Sequence, residues 1–366
     1  MTLWEPDGAN ELTKRGTPRK QSKSARGTWS RSVALDPRHR PQSVDRPSST
    51  VRREWARAPQ EAHLLDERNA RYRRLTVSEI AILQGFDAGW FEVAGVSDWD
   101  KTSACGDAVP PALGRAVLQG VVSNGQVGQP TSVEICAGAG GLASAAVASG
   151  LEHIGLYESW LPAARLLRAD RNWSPELVHH EDVREVAWSQ FRGKVGLLSG
   201  GPPCQPWSVG GVQRRVSDQR DLLGQIHELV TGVQPDAFVF ENVPGLTSQA
   251  SLPYLSQVLG SLRAPGPTGL RYGVVAGTFD AADYGVPQRR RRVFIVGLRS
   301  QPNAMAYNLL DRVHAARTHR SPHVPDSNRV PWVTVGEALA KRPDPGGWRT
   351  WAHDYGGDEV GRSAAN

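Results

Sequence analysis

Residues 132–158 read SVEICAGAGGLASAAVASGLEHIGLYE. The stretch opens on an apolar strand, SVEICAG, turns sharply at GAGG, runs through a small-residue helix to Gly150 and re-enters a strand, HIGLYE. A strand, a glycine turn and a helix in that order put backbone N–H groups and a helix N-terminus where a ligand can approach. Glu158 closes the second strand, at the spacing from the glycines where an acid reaches ribose hydroxyls. A dinucleotide enzyme shares this pattern, and so does a plain packing turn. The stretch therefore sets the fold class and leaves the ligand open.

Further strands follow at VGLLSGG (195–201), DAFVFENV (236–243) and RRVFIVGL (291–298), with helical stretches such as QRDLLGQIHELVTGV (219–233) between them. Strands alternating with helices predict an α/β, Rossmann-like fold around a mainly parallel sheet covered on both faces. Ligands on such sheets bind beyond the carboxyl ends of the strands. Asp182, in HHEDVREV, is a third strand-end acid suited to an adenine amino group, or else a helix N-cap. Before the glycine turn, Thr76 and Glu79 in LTVSEIAILQGF form a capping-box pattern, with Gly85 placed to end the helix. VPPALGRAVLQGVV, from Val109, reads as a helix with Pro110 and Pro111 at its start. SNGQVGQP (123–130) is a linker by composition.

The 366 residues are 39% hydrophobic, enough for a real core. No apolar run approaches 18 residues, and the polar, basic N-terminus lacks the apolar region of a signal peptide, so neither a membrane span nor export is expected. Cys105, Cys136 and Cys204 are too few and too widely spaced for a disulfide framework or a zinc site, which favours a reducing cytoplasm. The net charge is +6 and the cations are nearly all arginine. Arginine suits phosphate, but a GC-rich genome gives the same bias. Residues 1 to about 44 are basic, Ser-rich and without apolar period, hence irregular: a nucleic-acid arm or a solvated tail.

Cys204 lies in GGPPCQPWSVGG (200–211). A thiol there is unusual, because cysteine prefers burial and this loop is prolines and glycines. Pro202, Pro203 and Pro206 stiffen the loop, and its place after VGLLS puts Cys204 at the ligand edge of the sheet. Two more groups occupy equivalent edges. Glu241 closes the hydrophobic strand FVFEN, a costly place for a carboxylate unless it is used or paired, and partial burial would let it keep a proton. QRRRR (288–292) runs into VFIVG, and strand alternation makes Arg290 and Arg292 point together, away from Arg289 and Arg291. A thiol, a protonated acid and a guanidinium suit one chemistry: sulfur adds to C6 of a pyrimidine, the acid protonates N3, arginine holds O2, and C5 becomes nucleophilic.

These motifs resemble the DNA (cytosine-5)-methyltransferase family. CAGAGG resembles its first S-adenosylmethionine motif, GGPPCQPWS its nucleophile motif, ENVPGL its glutamate motif and YGVPQRRRRVFIVG its paired-arginine motif. RRLTVSEIAILQGF and CGDAVPPALGRAV resemble the motifs that normally end the family's chain. The resemblance implies a class I methyltransferase fold acting on cytosine C5 in double-stranded DNA, with the target base flipped out, as part of a restriction–modification or related defence system. It implies Cys204, Glu241, Arg290 and Arg292 as catalytic residues, with no metal. Ala137, Gly138, Ala139, Gly140, Gly141, Glu158, Trp160, Asp182, Pro202 and Asp107 would hold the cofactor, S-adenosyl-L-methionine. Three positions depart from the pattern: Cys136 where phenylalanine is common, Asp107 where asparagine is usual, and Ser159 where an adenine cover often stands, a role Trp160 would take.

The motif order is permuted. The expected organisation is an irregular arm (1–44), the displaced terminal motifs (45–122), a linker joining the old ends (123–130), the cofactor-binding catalytic core (131–300), and a connector with a partial target-recognition region (301–366). Little chain is left for recognition, so it is minimal, or a partner subunit supplies it, or part of the chain is lost. Two other readings stay open: a non-catalytic or partner-dependent DNA-binding subunit on this fold, and an RNA cytosine-5 methyltransferase.

Overall fold

The computed structural model describes residues 41–57, 59–123, 125–204, 221–267, 269–325 and 328–350. Most of the basic arm, the loop after Cys204 with Pro206, and the segment from 351 lie outside the described residues. The centre is a seven-stranded sheet: β1 (Thr131–Ile135), β2 (Glu152–Tyr157), β3 (Val178–His179), β4 (Leu197–Gly200), β5 (Ala237–Asn242), β6 (Tyr272–Asp280) and β7 (Arg291–Arg299). Their order is β3-β2-β1-β4-β5-β7-β6. The first five run parallel, and β7 lies antiparallel between β5 and β6. The chain reverses its direction of winding between β1 and β4, the place where a doubly wound sheet opens a crevice for ligand.

The helices are α1 (Val77–Gln84), α2 (Asp98–Asp107), α3 (Pro111–Val122), α4 (Gly141–Val147), α5 (Leu161–Ala169), α6 (Leu222–Val233), α7 (Leu252–Arg263), α8 (Asn303–Ala315) and α9 (Val335–Leu339). Helix α1 has the expected capping box, with Thr76 Oγ1 accepting from the Glu79 N–H and Glu79 accepting from the Thr76 N–H. Glu79 also binds Arg73 through both oxygens, at 2.8 and 2.6 Å, both side chains being buried. The bidentate geometry is the arrangement that makes a buried pair tolerable.

The segment before residue 123 is not a satellite. Leu113, Val117, Leu118 and Val121 of α3 share one apolar core with Leu142, Ala145 and Ala146 of α4 and with Phe294 and Val296 of β7. Arg290 and Gln288 fasten it further. The Arg290 guanidinium donates to the carbonyls of Val51, Gly106 and Ala108 at 2.6–3.0 Å. Gln288 accepts from the Val51 N–H and donates to Leu83 O and to Gln84, which donates in turn to Ala108 O.

Three elements differ from the sequence expectation. Strand β6 was not among the expected strands, because Gly273 and Gly277 interrupt its apolar run. Helix α2, DWDKTSACGD, has no apolar stripe and buries mainly small residues, Thr102 to Gly106. Residues 42–43, expected to be irregular, form a short strand in a second sheet with His63–Asp66, Arg71–Arg74 and Arg349–Thr350.

Close packing of β7 on β5 leaves no room at Gly297, where an added Cβ would lie 2.0 Å from the Phe238 ring. Gly297→Ala is expected to destabilise the fold by about 2 kcal/mol or more, the cost of overpacking. Calorimetric unfolding would register a Tm lowered by several degrees, and an unchanged Tm would contradict the packing described.

Candidate active site

The site lies along the carboxyl ends of β1, β2, β4 and β5, with the amino end of antiparallel β7 beside them. Sequence puts each group there by the same device: an apolar strand carries the chain out of the core and a polar residue ends it. Cys204 follows β4 by four residues and is 9% exposed. Its Sγ donates to Asn242 Oδ1 at 2.6 Å, and Asn242 Nδ2 donates to the carbonyl of Pro202 at 3.0 Å. The Val243 N–H also donates to Asn242 Oδ1. Asn242 thus orients both the thiol and its loop. Asn242 lies within the ENVPGL motif, where the sequence alone assigns it no role. Burial pushes the Cys204 thiol up to about 11, with the Asp221 carboxylate adding to the rise.

Glu241 is buried and pairs with Arg292, Oε1 to Nε at 2.7 Å. Phe294 is opposite Glu241 in the β5–β7 ladder, so Arg292, two residues earlier, is its same-face diagonal neighbour. The Arg292 N–H does not point along this contact, and Oε1 is a buried oxygen without a hydrogen-bond donor. Burial raises the Glu241 carboxyl above the usual range, against the opposing pull of Arg292 and Arg290. The expected alternation of the arginines holds: Arg289 and Arg291 are exposed, Arg290 buried and Arg292 half-buried. The expected contact of Arg290 with a base does not hold. Arg290 is 0% exposed and its terminal nitrogens are engaged by backbone carbonyls, so no substrate atom can reach them.

The glycine turn fits an adenosine-bearing ligand. Gly138 and Gly140 adopt positive φ, and a Cβ at Gly138 would meet nothing within 4 Å, so there is room in front of the turn. Ala137, Ala139, Gly140 and Gly141 are buried behind it. Cys136, before them, is half-buried with φ of 48°. Glu158 is buried and uses one oxygen for the Gly138 N–H at 2.8 Å and the other for the Trp160 N–H at 2.7 Å. Each oxygen keeps a lone pair for a ligand hydroxyl. Ser159 is exposed and Trp160 half-buried, with the Arg53 guanidinium 4.6 Å over its ring. Asp182 is bound by Arg184, whose hydrogen bond lowers its pKa. Asp107 pairs with Arg53 at 2.5 Å, and burial raises its pKa against that partner. Pro202 is buried beside Asn242.

Sequence reasoning missed two further groups. Glu134, inside β1, is 1% exposed, accepts from Ser199 Oγ at 3.4 Å and is pushed by burial up to about 8. Arg53 had no motif to announce it.

The three thiols differ in a measurable way. Burial pushes Cys105 and Cys136 further up than Cys204. Iodoacetamide labelling followed by peptide mass spectrometry is expected to find Cys204 slow at pH 7, rising about tenfold per pH unit toward pH 10 with the thiolate fraction. A rate that levels off below pH 9 would contradict the buried, Asn242-bound thiol.

Comparison with known proteins gives a consistent set. Residues 8–123 and 131–336 match the family described as C-5 cytosine-specific DNA methylase. Type II methyltransferase M.PspPI of Psychrobacter sp. (strain TA137) is 36% identical over 170 residues, 46% of this chain and 39% of that protein. Type II methyltransferase M.NgoMIV of Neisseria gonorrhoeae is 37% identical over 177 residues, 47% of this chain and 53% of that protein. The matches span between about two fifths and one half of these relatives' length.

Proposed function

The chain belongs to the C-5 cytosine-specific DNA methylase family, and from that premise we propose that it methylates C5 of cytosine in double-stranded DNA, with S-adenosylmethionine as donor and Cys204 as nucleophile. The observation that carries this reading is the convergence of the Cys204–Asn242 pair and the Glu241–Arg292 pair on one edge of the sheet, beside the glycine turn. The Type II methyltransferases among its relatives support a place as the modification member of a restriction–modification system.

C6 of cytosine is shielded in the base stack, so the base is taken to be flipped outward. Cys204 Sγ bonds to C6 as the thiol proton passes to solvent water. The Glu241 carboxyl, which burial disposes to keep a proton, gives that proton to N3, and Arg292 holds O2. Addition at C6 opens the C5–C6 double bond and moves electron density to C5. When bound, the donor would supply an electrophilic methyl group on a sulfonium to that carbon, its sulfur leaving with the bonding pair as a neutral thioether. Water then takes the C5 proton, the freed pair re-forms the C5–C6 bond and expels Cys204 Sγ, N3 returns its proton to Glu241, and the thiolate recovers a proton from solvent. The donor would rest against Ala137 to Gly141 and Pro202, with Glu158 at the ribose, Trp160 and Asp182 at the adenine, and Asp107 toward the methionine end. Arg290 acts at one remove, by holding the strand that carries Arg292.

We read the motif order as a circular permutation. The family match falls in two stretches that flank the linker 123–130, and Gln42–Ser43 and Arg349–Thr350 sit in one small sheet. Cuts at exposed connections leave core contacts intact. We assign target recognition to this sheet and the segments beyond it, alone or together with a partner subunit.

Incorporation of labelled methyl groups into duplex DNA tests the reading. Cys204→Ser is expected to lose at least about a hundredfold in rate, and Glu241→Gln a comparable factor. Undiminished transfer by Cys204→Ser would exclude the mechanism. Parallel reactions on tRNA decide the nucleic acid, since transfer to RNA alone would overturn the DNA assignment.

A further inference from the structure

Arg53 lies outside every motif, yet its guanidinium reaches the cleft. Four contacts run continuously through this region: Gly138 to Glu158, Glu158 to Trp160, Trp160 to Arg53, and Arg53 to Asp107. The other arginines at this edge are engaged. Arg184 binds Asp182, Arg292 faces Glu241, and Arg290 is buried among carbonyls. Arg53 is half exposed, and its bond to Asp107 uses Nη1, which leaves the donors of Nη2 and Nε for a ligand.

The position of Arg53 is built rather than incidental. Its backbone presses on Gly106, where an added Cβ would lie 2.3 Å from Arg53 N and from Arg52 C. Only glycine allows so close an approach. Asp107 is the last residue of α2, where a carboxylate opposes the negative end of the helix and calls for a cation. Asp107 also lies near enough to the other acids for its charge to be felt by both Glu158 and Glu241. A donor with its ribose at Glu158 and its methyl aimed at the base beside Glu241 must run its amino-acid arm past this point.

We propose that Arg53 is a donor-binding residue that receives the carboxylate of the methionine arm of S-adenosylmethionine. The proposal rests on the reading of the glycine turn as the donor site. The guanidinium, stacked on Trp160 and tethered by Asp107, is pre-oriented, so its hydrogen bonds to a carboxylate are charge-assisted and cost little ordering. It also offsets Asp107, which would otherwise repel that carboxylate.

Calorimetric binding to the full chain tests it with three probes: S-adenosylmethionine, S-adenosylhomocysteine and 5′-methylthioadenosine, which has the adenosine but no amino-acid arm. Arg53→Gln is expected to weaken the first two about ten- to a hundredfold and to leave 5′-methylthioadenosine within about twofold. Arg53→Lys, which keeps the charge, is expected to recover most of the loss and guards against a folding defect in the glutamine variant. Equal losses for all three probes would overturn the proposal, placing Arg53 at the adenosine instead; so would unchanged binding of all three. A wild-type chain that binds none of the probes would overturn the donor-site reading itself, a result distinct from either.

Discussion

The guanidinium of Arg290 has no solvent contact, and among the described residues no carboxylate lies on it. Three carbonyls, of Val51, Gly106 and Ala108, take N–H groups of its two terminal nitrogens, while the buried Nε has no hydrogen-bond partner among the described residues. A buried cation is costly, and these bonds supply its compensation, so the three carbonyls must stay where they are. That requirement fixes the segment around residues 51 and 106–108 against the start of β7. It thereby sets Arg292 relative to Glu241 and Arg53 relative to Trp160. Both ends of the cleft are referenced to one side chain.

The same logic recurs at smaller scale. Asn242 ends β5 and is bonded to the Cys204 thiol on one side and to the Pro202 carbonyl on the other. Glu158 ends β2 and ties the glycine turn to the start of α5. Each strand delivers a polar residue that organises a loop as well as facing the cleft. Removing such a residue would disturb position and chemistry together.

Much of this was legible in the sequence, for identifiable reasons. The strands that lead to Cys204, Glu158 and Glu241 are apolar runs that stop at a loop or a polar residue, a pattern local enough to read directly. The alternation of Arg289 to Arg292 followed from strand geometry. What could not be read was where long side chains end. Arg290 belongs to the fastening of the segment before the linker, because its partners lie some 180–240 positions away in the chain. Arg53 is separated from Asp107 by 54 positions and sits in a one-turn helix with no periodic signature. Strand β6 and helix α2 escaped for the opposite reason: glycines dilute one, and small polar residues make up the other, so neither has the apolar period that composition reveals.

Asp107, Asp182 and Glu241 each face an arginine, Arg53, Arg184 and Arg292 in turn, while Glu158 is held by two backbone N–H groups. Charge along this edge is therefore matched pair by pair rather than summed over a surface. A charged group brought here competes with a partner already in place, whereas an uncharged one disturbs none of the pairs. Losing either member of a pair leaves its mate uncompensated beside the others, so a single substitution is felt beyond its own contact.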